Sequence, residues 1–209
     1  MAIDVKSIIA DALLNLCERK SLSKITIADI QQESGVSRQT FYNHFKDKPD
    51  LIQYIYESRV ISHWKSPSNT SLNYYEATLD ALKSDAEYHT FLKQACKMTG
   101  ANCLVDYMYQ YSKDFDCAWH QALYGKEPMP DELKFASEYH SAAGMHMRIQ
   151  WILNDMPESP EELLDRFILL RLYSLNDLIL EDLGEGSPYT AAAMTAATRA
   201  ATHSVWKKR

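Results

Sequence analysis

Hydrogen-bonding side chains are concentrated between residues 37 and 48, and their types suit the recognition of nucleic acid. Phe41 and Phe45 are four residues apart, so on a helix they share one face and can pack inward. The polar residues around them then project outward. Arg38 and Gln39 can make bidentate hydrogen bonds to base edges in a major groove. The other polar side chains can bind phosphate oxygens, and the expected DNA contacts are Thr26, Ser37, Arg38, Gln39, Thr40, Tyr42, Asn43, His44 and Lys48.

Two helix starts, separated by a single Gly, position this polar segment. Thr26 can cap the first helix, and Asp29 three residues later completes a capping box. Gly35 suits the left-handed turn that ends this helix, because it has no Cβ. Ser37 can then cap the second helix. Two short capped helices around a Gly turn predict a helix-turn-helix.

A further helix is predicted to begin at Asp47-Lys48-Pro49, since Pro is tolerated in the first helical turn. Lys48 would lie at the positive end of that helix, where backbone N–H groups and an ammonium group together attract phosphate. We therefore expect Lys48 to bind the DNA backbone, and Arg38 and Gln39 to bind bases.

The stretch GVSRQTFYNHFKDKPDLI resembles the DNA-binding segment of the TetR family of bacterial transcriptional regulators. The matching features are the turn Gly35-Val36-Ser37, the run Phe41-Tyr42-Asn43-His44-Phe45 and the Lys48 that opens the next helix. The strong resemblance covers about a quarter of the chain. It implies an all-α protein with an N-terminal three-helix, helix-turn-helix DNA-binding head. It also implies a larger helical bundle that binds an effector and forms a dimer.

Short capped helices around a Gly turn also occur in enzymes and in purely structural bundles. On that interpretation Tyr42 and His44 are surface residues without a ligand, and Lys48 is a solvated charge. The exposed set is rich in Arg, Gln, Thr, Tyr and His rather than Glu and Lys, which favours the DNA interpretation.

The distribution of charge separates an N-terminal head from the rest of the chain. The formal net charge of the 209 residues is −6, which by itself argues against nucleic acid. Residues 1–50, however, hold seven basic and seven acidic residues, so all the excess acid lies further along. We predict a helix-turn-helix DNA-binding domain over residues 1–50 and a ligand-binding and dimerisation domain over residues 51–209. A neutral head implies modest nonspecific affinity that depends on salt and on dimerisation.

The second region has a helical pattern almost throughout. Helices are expected over residues 51–64, 72–82, 88–99, 101–124, 131–154 and 160–183, with a linker at 65–71 and a last, Ala-rich helix. The four Cys lack metal-ligand spacing and are most simply core residues. No apolar run approaches the ~20 residues needed to cross a bilayer, and no leader is evident. We therefore expect a cytoplasmic protein without membrane contact.

Aromatic side chains recur every fourth residue at Tyr107, Tyr111, Phe115 and Trp119, as a stripe along one helix. Most such stripes are core packing. The alternative is the wall of an effector cavity, because aromatic residues with polar tips commonly line pockets. On that interpretation the ligand-binding residues are Trp64, Tyr88, Phe91, Tyr107, Tyr111, Phe115, Trp119, His140, Met147 and Trp151, with His120 nearby.

The sequence lacks a catalytic or metal-binding constellation. His140 and His146 are out of helical phase with each other, so they cannot chelate a metal without a third ligand. No nucleophile elbow, Gly-rich phosphate loop or zinc signature is present. We expect neither an enzyme nor a metal or other cofactor.

The C-terminal helices predict an interface between copies of the chain. Residues 167–180 are apolar on nearly every side, so their helix must be covered on two faces. The helix 131–154 carries Ala142, Ala143 and Gly144, which permit close helix approach. In TetR-like proteins the two long C-terminal helices pair with their copies, which implies a homodimer through helices 131–154 and 160–183. The alternative is a monomer covered by its own Ala-rich helix.

These features together predict a sequence-specific, ligand-responsive transcriptional regulator. It would be a repressor that a small organic effector releases from a pseudo-palindromic operator in double-stranded DNA. An activator on the same scaffold and a helical module that acts through a partner protein stay open as alternatives. An enzyme is disfavoured. The sequence identifies neither the effector nor the operator.

Overall fold

The computed structural model describes residues 4–61 and 74–172, and these form helices without any strand. The predicted all-α fold is confirmed. The helices are α1 Val5–Cys17, α2 Ile27–Ser34, α3 Arg38–His44, α4 Lys48–Ile55, α5 Tyr74–Glu87, α6 His89–Ala95, α7 Leu104–Tyr124, α8 Asp131–Leu153 and α9 Pro160–Leu172. A 3₁₀ turn at Leu22–Lys24 and a π turn at Tyr56–Val60 complete the set. The chain divides into two compact units, residues 1–164 and 165–209, and the second is described only over the end of α9.

The first four helices enclose a small apolar core. Ile9 and Leu13 of α1, Ile30 of α2, Phe41 of α3 and Leu51 of α4 are all completely buried. Each side chain of this size contributes roughly 1.5–3 kcal/mol when it is removed from water. Because both short helices of the helix-turn-helix contribute to this core, their outward faces are held in fixed directions.

The π turn Tyr56–Val60 follows α4 directly and connects the N-terminal helices to the rest of the unit. The guanidinium group of Arg59 donates a hydrogen bond back to Ser7 Oγ of α1 at 2.7 Å. The carboxylate of Glu57 accepts a hydrogen bond from the hydroxyl of Tyr107 on α7. One turn of chain therefore contacts both regions, and π turns inside helices are frequent at functional sites.

Helices α7 and α8 form an antiparallel pair whose contact surface is unusually polar. Ser112 and Ser141 are both buried, and their hydroxyl oxygens lie 3.0 Å apart. Further along the pair, Nδ1 of His120 lies 2.7 Å from Oγ of Ser137. Small side chains let two helices approach closely, and the hydroxyl groups then satisfy one another across the seam.

A buried ion pair joins α8 to α5. The guanidinium group of Arg148 donates two hydrogen bonds to the Asp85 carboxylate, of which the Nη2–Oδ1 bond is 2.8 Å long. The Asp85 side chain is fully buried and that of Arg148 is 6% exposed. Such bidentate pairs fix geometry, and removing one partner leaves an uncompensated charge in the interior.

Several observed helix ends differ from the sequence prediction. α6 ends at Ala95 instead of residue 99, and the chain then turns through Gly100 (φ 119°) and Asn102 (φ 59°) before α7 begins. The capped start at Ser159 is confirmed, since its Oγ accepts from the Glu162 N–H at 3.2 Å. The predicted linker 65–71, the end of the predicted helix 51–64 and the chain beyond Leu172, including the Ala-rich helix, lie outside the described residues.

No helix among the described residues is both long enough and apolar enough to cross a membrane. In the same part of the chain, His, Cys, Asp and Glu do not gather in groups of three that could hold a metal ion.

Candidate nucleic-acid interface

The turn between α2 and α3 is built by local hydrogen bonds that the sequence predicts. Thr26 Oγ1 accepts from the backbone N–H of Asp29 at 3.2 Å, while the Asp29 carboxylate accepts from the Thr26 N–H at 2.7 Å. Gly35 has a φ of 71°, the left-handed conformation that favours glycine, and its N–H bonds to the Gln31 carbonyl at 2.9 Å. Ser37 Oγ then accepts from Thr40 N–H at 3.0 Å and starts α3. The predicted helix-turn-helix geometry is confirmed.

The segment of α3 turns its two phenylalanines inward and most of its hydrogen-bonding residues outward. Phe41 is completely buried and Phe45 is 2% exposed, whereas Tyr42 between them is 44% exposed. The predicted DNA contacts differ in exposure. Thr26, Ser37, Arg38, Gln39, Tyr42 and Asn43 are exposed, and Thr40, His44 and Lys48 are half-buried.

Two pairs of side chains, each one helical turn apart, organise the outer surface of α3. Gln39 Nε2 donates to Asn43 Oδ1 at 2.9 Å. The guanidinium carbon of Arg38 lies 5.3 Å from the ring centroid of Tyr42, within the range of a cation–π contact. Sequence reasoning treated these four residues separately, although their i, i+4 spacing is the signal that pairs them.

The ammonium group of Lys48 makes contacts within the protein that the sequence did not predict. Its Nζ donates to the backbone carbonyls of Leu22 and Ile25, both at 2.8 Å. The side chain is half-buried, and this burial lowers the pKa of the ammonium group. Lys48 thus stabilises the 3₁₀ turn that precedes α2, and an ammonium group has only one further N–H for a phosphate. The predicted phosphate contact stays a prediction.

Acidic side chains at the back of α2 are paired with the end of α1. Lys20 Nζ contacts Asp29 Oδ2 at 2.6 Å, and Arg19 forms an ion pair with Glu33. The hydrogen bond from Lys20, with those from Thr26, holds the pKa of the Asp29 carboxyl well below its usual range. These carboxylates are therefore neutralised within the protein, which reduces the negative potential near the proposed DNA surface.

The aromatic stripe of α7 lies beside the polar seam and not within it. Tyr107 and Tyr111 stack with ring centroids 6.3 Å apart, and Phe115 and Trp119 stack at the same distance. All four are half-buried. Burial and the hydrogen bond to Glu57 raise the pKa of the Tyr107 hydroxyl, so this tyrosine is neutral.

The other predicted effector contacts differ widely in burial. Phe91 and Trp151 are core residues, 2% and 3% exposed, and Trp151 Nε1 donates to the Glu158 carbonyl at 2.9 Å. Met147 is 50% exposed on α8. Tyr88 is half-buried at the start of α6, His140 is exposed, and Trp64 lies outside the described residues.

His140 instead contributes to a separate cleft of about 320 Å³ at the end of the α7–α8 pair. This cleft is mostly apolar and is lined by His120, Leu123, Tyr124, Met129, Leu133, Ala136, Ser137 and His140. His140 is the member of the predicted effector set that lines this cleft, and the predicted effector site stays a prediction.

Tyr56 is a buried polar residue that sequence reasoning missed. It is completely buried in the π turn, and its ring packs edge-on against Tyr107 with centroids 6.2 Å apart. Within residues 4–61 and 74–172 its hydroxyl has no hydrogen-bond partner. Burial is the main cause that raises its pKa, and the Arg148–Asp85 pair is close enough to shift that pKa electrostatically. In the sequence Tyr56 is one of several large residues in a predicted helix, and nothing there indicates that its hydroxyl is buried.

The geometry of residues 26–48 defines a class of protein, the helix-turn-helix proteins that place their second helix in a major groove. Comparison with known families agrees. A family described as bacterial regulatory proteins, tetR family, matches residues 9–55, and one described as transcriptional regulator C-terminal region matches residues 72–171. The chain belongs to the TetR family, whose members are transcriptional regulators and not enzymes.

Two curated relatives match part of the chain. The HTH-type dhaKLM operon transcriptional activator DhaS of Lactococcus lactis is 35% identical over 57 residues, which are 27% of this chain and 30% of that protein. The HTH-type transcriptional regulator AlkX of Mycobacterium tuberculosis is 33% identical over 81 residues, 36% of this chain and 38% of that protein. These matches therefore span 30% of the first relative and 38% of the second.

Solved structures resemble the chain over most of its length. A dihydroxyacetone kinase operon activator DhaS has a TM-score of 0.63 at 22% identity, covering 86% of this chain and 99% of that chain. A TetR transcriptional regulator from Streptococcus agalactiae has a TM-score of 0.56 at 18% identity, covering 79% and 92%. At such identities the likeness establishes the fold alone.

Proposed function

We propose that the protein is a sequence-specific DNA-binding regulator of transcription, with residues 1–50 as its DNA-binding domain and residues 51–209 as its ligand-binding and dimerisation domain. The observation that carries this proposal is the outer surface of α3. Its bidentate hydrogen-bonding residues are exposed, and Phe41 and Phe45 anchor the opposite face in the core. Arg38 and Gln39 would contact bases, and Thr26, Ser37, Thr40, Tyr42, Asn43, His44 and Lys48 mainly the backbone.

A second copy of the chain is the proposed partner for α8. Phe135, Tyr139, Ala143 and Met147 recur every fourth residue and form one exposed line, with exposures of 75%, 64% and 50% for the three large residues. A contiguous apolar stripe on a helix is typical of an interaction surface. A homodimer through helices 131–154 and 160–183 would cover it and would present two α3 helices to a pseudo-palindromic operator.

A small organic effector is the proposed signal. The buried Tyr56 hydroxyl supports it, because a buried hydroxyl costs roughly 1–3 kcal/mol until it finds a partner. Tyr107 packs edge-on against the Tyr56 ring and also stacks on Tyr111. The π turn that carries Tyr56 also contacts α1 through Arg59, so an effector there could shift the population of head orientations.

The proposal also includes whether the protein represses or activates transcription. We favour a repressor that the effector releases from DNA. An activator is the second candidate, since the similar DhaS proteins are named as activators.

Selection of bound duplexes from a random DNA pool tests the proposal. We expect enrichment of a palindrome with two half-sites, and an altered sequence preference in Gln39→Ala. Failure to enrich any sequence at low salt would overturn the proposal. Repeating the selection with pooled metabolites tests the effector, and a reporter gene downstream of the selected site distinguishes repression from activation.

A further inference from the structure

We infer that Asn43 is a positioning residue that presets the Gln39 carboxamide to recognise adenine. The inference rests on the proposed function, in which α3 enters the major groove. Gln39 and Asn43 are both exposed and lie one turn apart on α3. The hydrogen bond from Gln39 Nε2 to Asn43 Oδ1 at 2.9 Å already exists in the protein alone.

This hydrogen bond determines which groups of Gln39 are left for a base. A glutamine amide has two N–H donors and one carbonyl oxygen with two lone pairs. Asn43 takes one N–H, so one N–H and the whole carbonyl oxygen remain available. The bond also opposes the half-turn of the amide that would exchange its oxygen and nitrogen. Gln39 is therefore held as one donor beside one acceptor.

Adenine is the base whose major-groove edge matches that arrangement. It presents the N7 acceptor beside the N6 amino donor, whereas guanine presents two acceptors, N7 and O6. With the amide fixed, the Gln39 carbonyl oxygen would face guanine O6, and two acceptors repel. Without Asn43 the amide is free to turn, and discrimination between the two purines falls.

The Arg38–Tyr42 pair on α3 is separate from the Gln39–Asn43 pair and suits a different base. Arg38 lies over the Tyr42 ring, so its guanidinium group is directed along the adjacent column of the helix. Arg38 is the residue type suited to guanine. Arg38 would thus contact a guanine and Gln39 an adenine, at successive positions of the half-site.

The test uses the full-length protein and the duplex recovered by selection. The base pair read by Gln39 is first located as the position where Gln39→Ala loses its preference. We expect adenine there, and an affinity loss of about tenfold when its N7 is replaced by carbon in 7-deazaadenine. We expect a comparable loss when its N6 amino group is removed in purine.

Asn43→Ala should reduce the preference for adenine over guanine to within about twofold. Asn43→Asp retains the acceptor oxygen and should restore the preference, even if its charge lowers affinity for every duplex. Thermal unfolding of both variants establishes that they are folded.

The outcomes separate the inference from the proposed function. A guanine at the Gln39 position, or an Asn43→Ala variant that keeps the full preference, overturns the role of Asn43 and leaves the regulator intact. Failure of the parent to select any duplex overturns both.

Discussion

The side-chain amide of Gln94 on α6 joins Leu22 to the rest of the unit: its Oε1 accepts from the Leu22 N–H at 2.6 Å. Its Nε2 donates to the Cys17 carbonyl at the end of α1, at 3.0 Å. The 3₁₀ turn that precedes the helix-turn-helix is thus bound by α6 on one side and by Lys48 of α4 on the other. Its position depends on both.

Gln94→Ala should destabilise the protein, because it leaves two partly buried backbone groups without partners. We expect a loss of about 1–3 kcal/mol in the free energy of unfolding, measured by urea titration. Gln53→Ala is the matched control, since Gln53 makes one exposed hydrogen bond to the Asn102 carbonyl and should cost less. Equal losses in the two variants would contradict this role of Gln94.

Lys48→Met should have two effects. It removes two hydrogen bonds to carbonyls, so the free energy of unfolding should fall by about 1–3 kcal/mol. It should also weaken binding to all DNA sequences by a similar factor, measured by fluorescence titration with operator and with unrelated duplex. Lys46→Met, at an exposed lysine two residues earlier, controls for loss of charge. A Lys48→Met protein with parental stability would show that the carbonyl contacts contribute nothing.

Acid should destabilise the protein in part through Asp29. Its pKa is depressed in the folded state by Lys20 and Thr26, so its stabilising contribution is present above the unfolded-state value of 3.8. That contribution is lost as the pH falls through 3.8 toward the lower folded-state pKa. Urea titrations at several pH values should show that acid lowers the free energy of unfolding less in Asp29→Asn than in the parent. Parallel curves for the two proteins would rule out this contribution.

Tyr56→Phe should separate effector response from folding. Removing a buried hydroxyl that has no partner among the described residues should leave the free energy of unfolding unchanged, or raise it by up to about 1 kcal/mol. Operator affinity without effector should also be unchanged, and the effector-dependent change should be lost. Tyr54→Phe, at a half-buried tyrosine of α4, should retain the response. A full response in Tyr56→Phe would exclude this hydroxyl from the effector site.

Phe135→Glu should disrupt the proposed dimer, because it places a charge in an interface that must lose water. Sedimentation equilibrium at micromolar concentration should show a monomer, and affinity for a two-half-site operator should fall. Ala122→Glu adds the same charge at an exposed position of α7 and should stay dimeric. A dimeric Phe135→Glu protein would place the interface elsewhere.

The helix-turn-helix could be predicted because its determinants are local. The capping box at Thr26, the left-handed Gly35 and the cap at Ser37 all act within four residues of sequence. The hydrogen-bond partners of Lys48 could not be predicted, because the two carbonyls are 26 and 23 residues away in the sequence. The Arg148–Asp85 pair, separated by 63 residues, was missed for the same reason.

The packing of α7 could not be predicted because two columns of its residues compete for the helix contact. The aromatic column that begins at Tyr107 is more apolar than the neighbouring column of Met108, Ser112 and Asp116. The neighbouring column is the buried one. The small Ser112 side chain permits a closer helix approach than stacked aromatic rings would, and its pairing with Ser141 compensates for the lost apolar area.

The polar contact between α7 and α8 includes two serines one helical turn apart on α8, Ser137 and Ser141. A slip of one helical turn, about 5.4 Å, would replace Ser141 by Ser137 as the partner of Ser112. The same slip would move His120 from Ser137 to the apolar Leu133. Ser112 alone therefore does not determine the register, whereas the His120–Ser137 contact and the buried Arg148–Asp85 pair both favour the observed one.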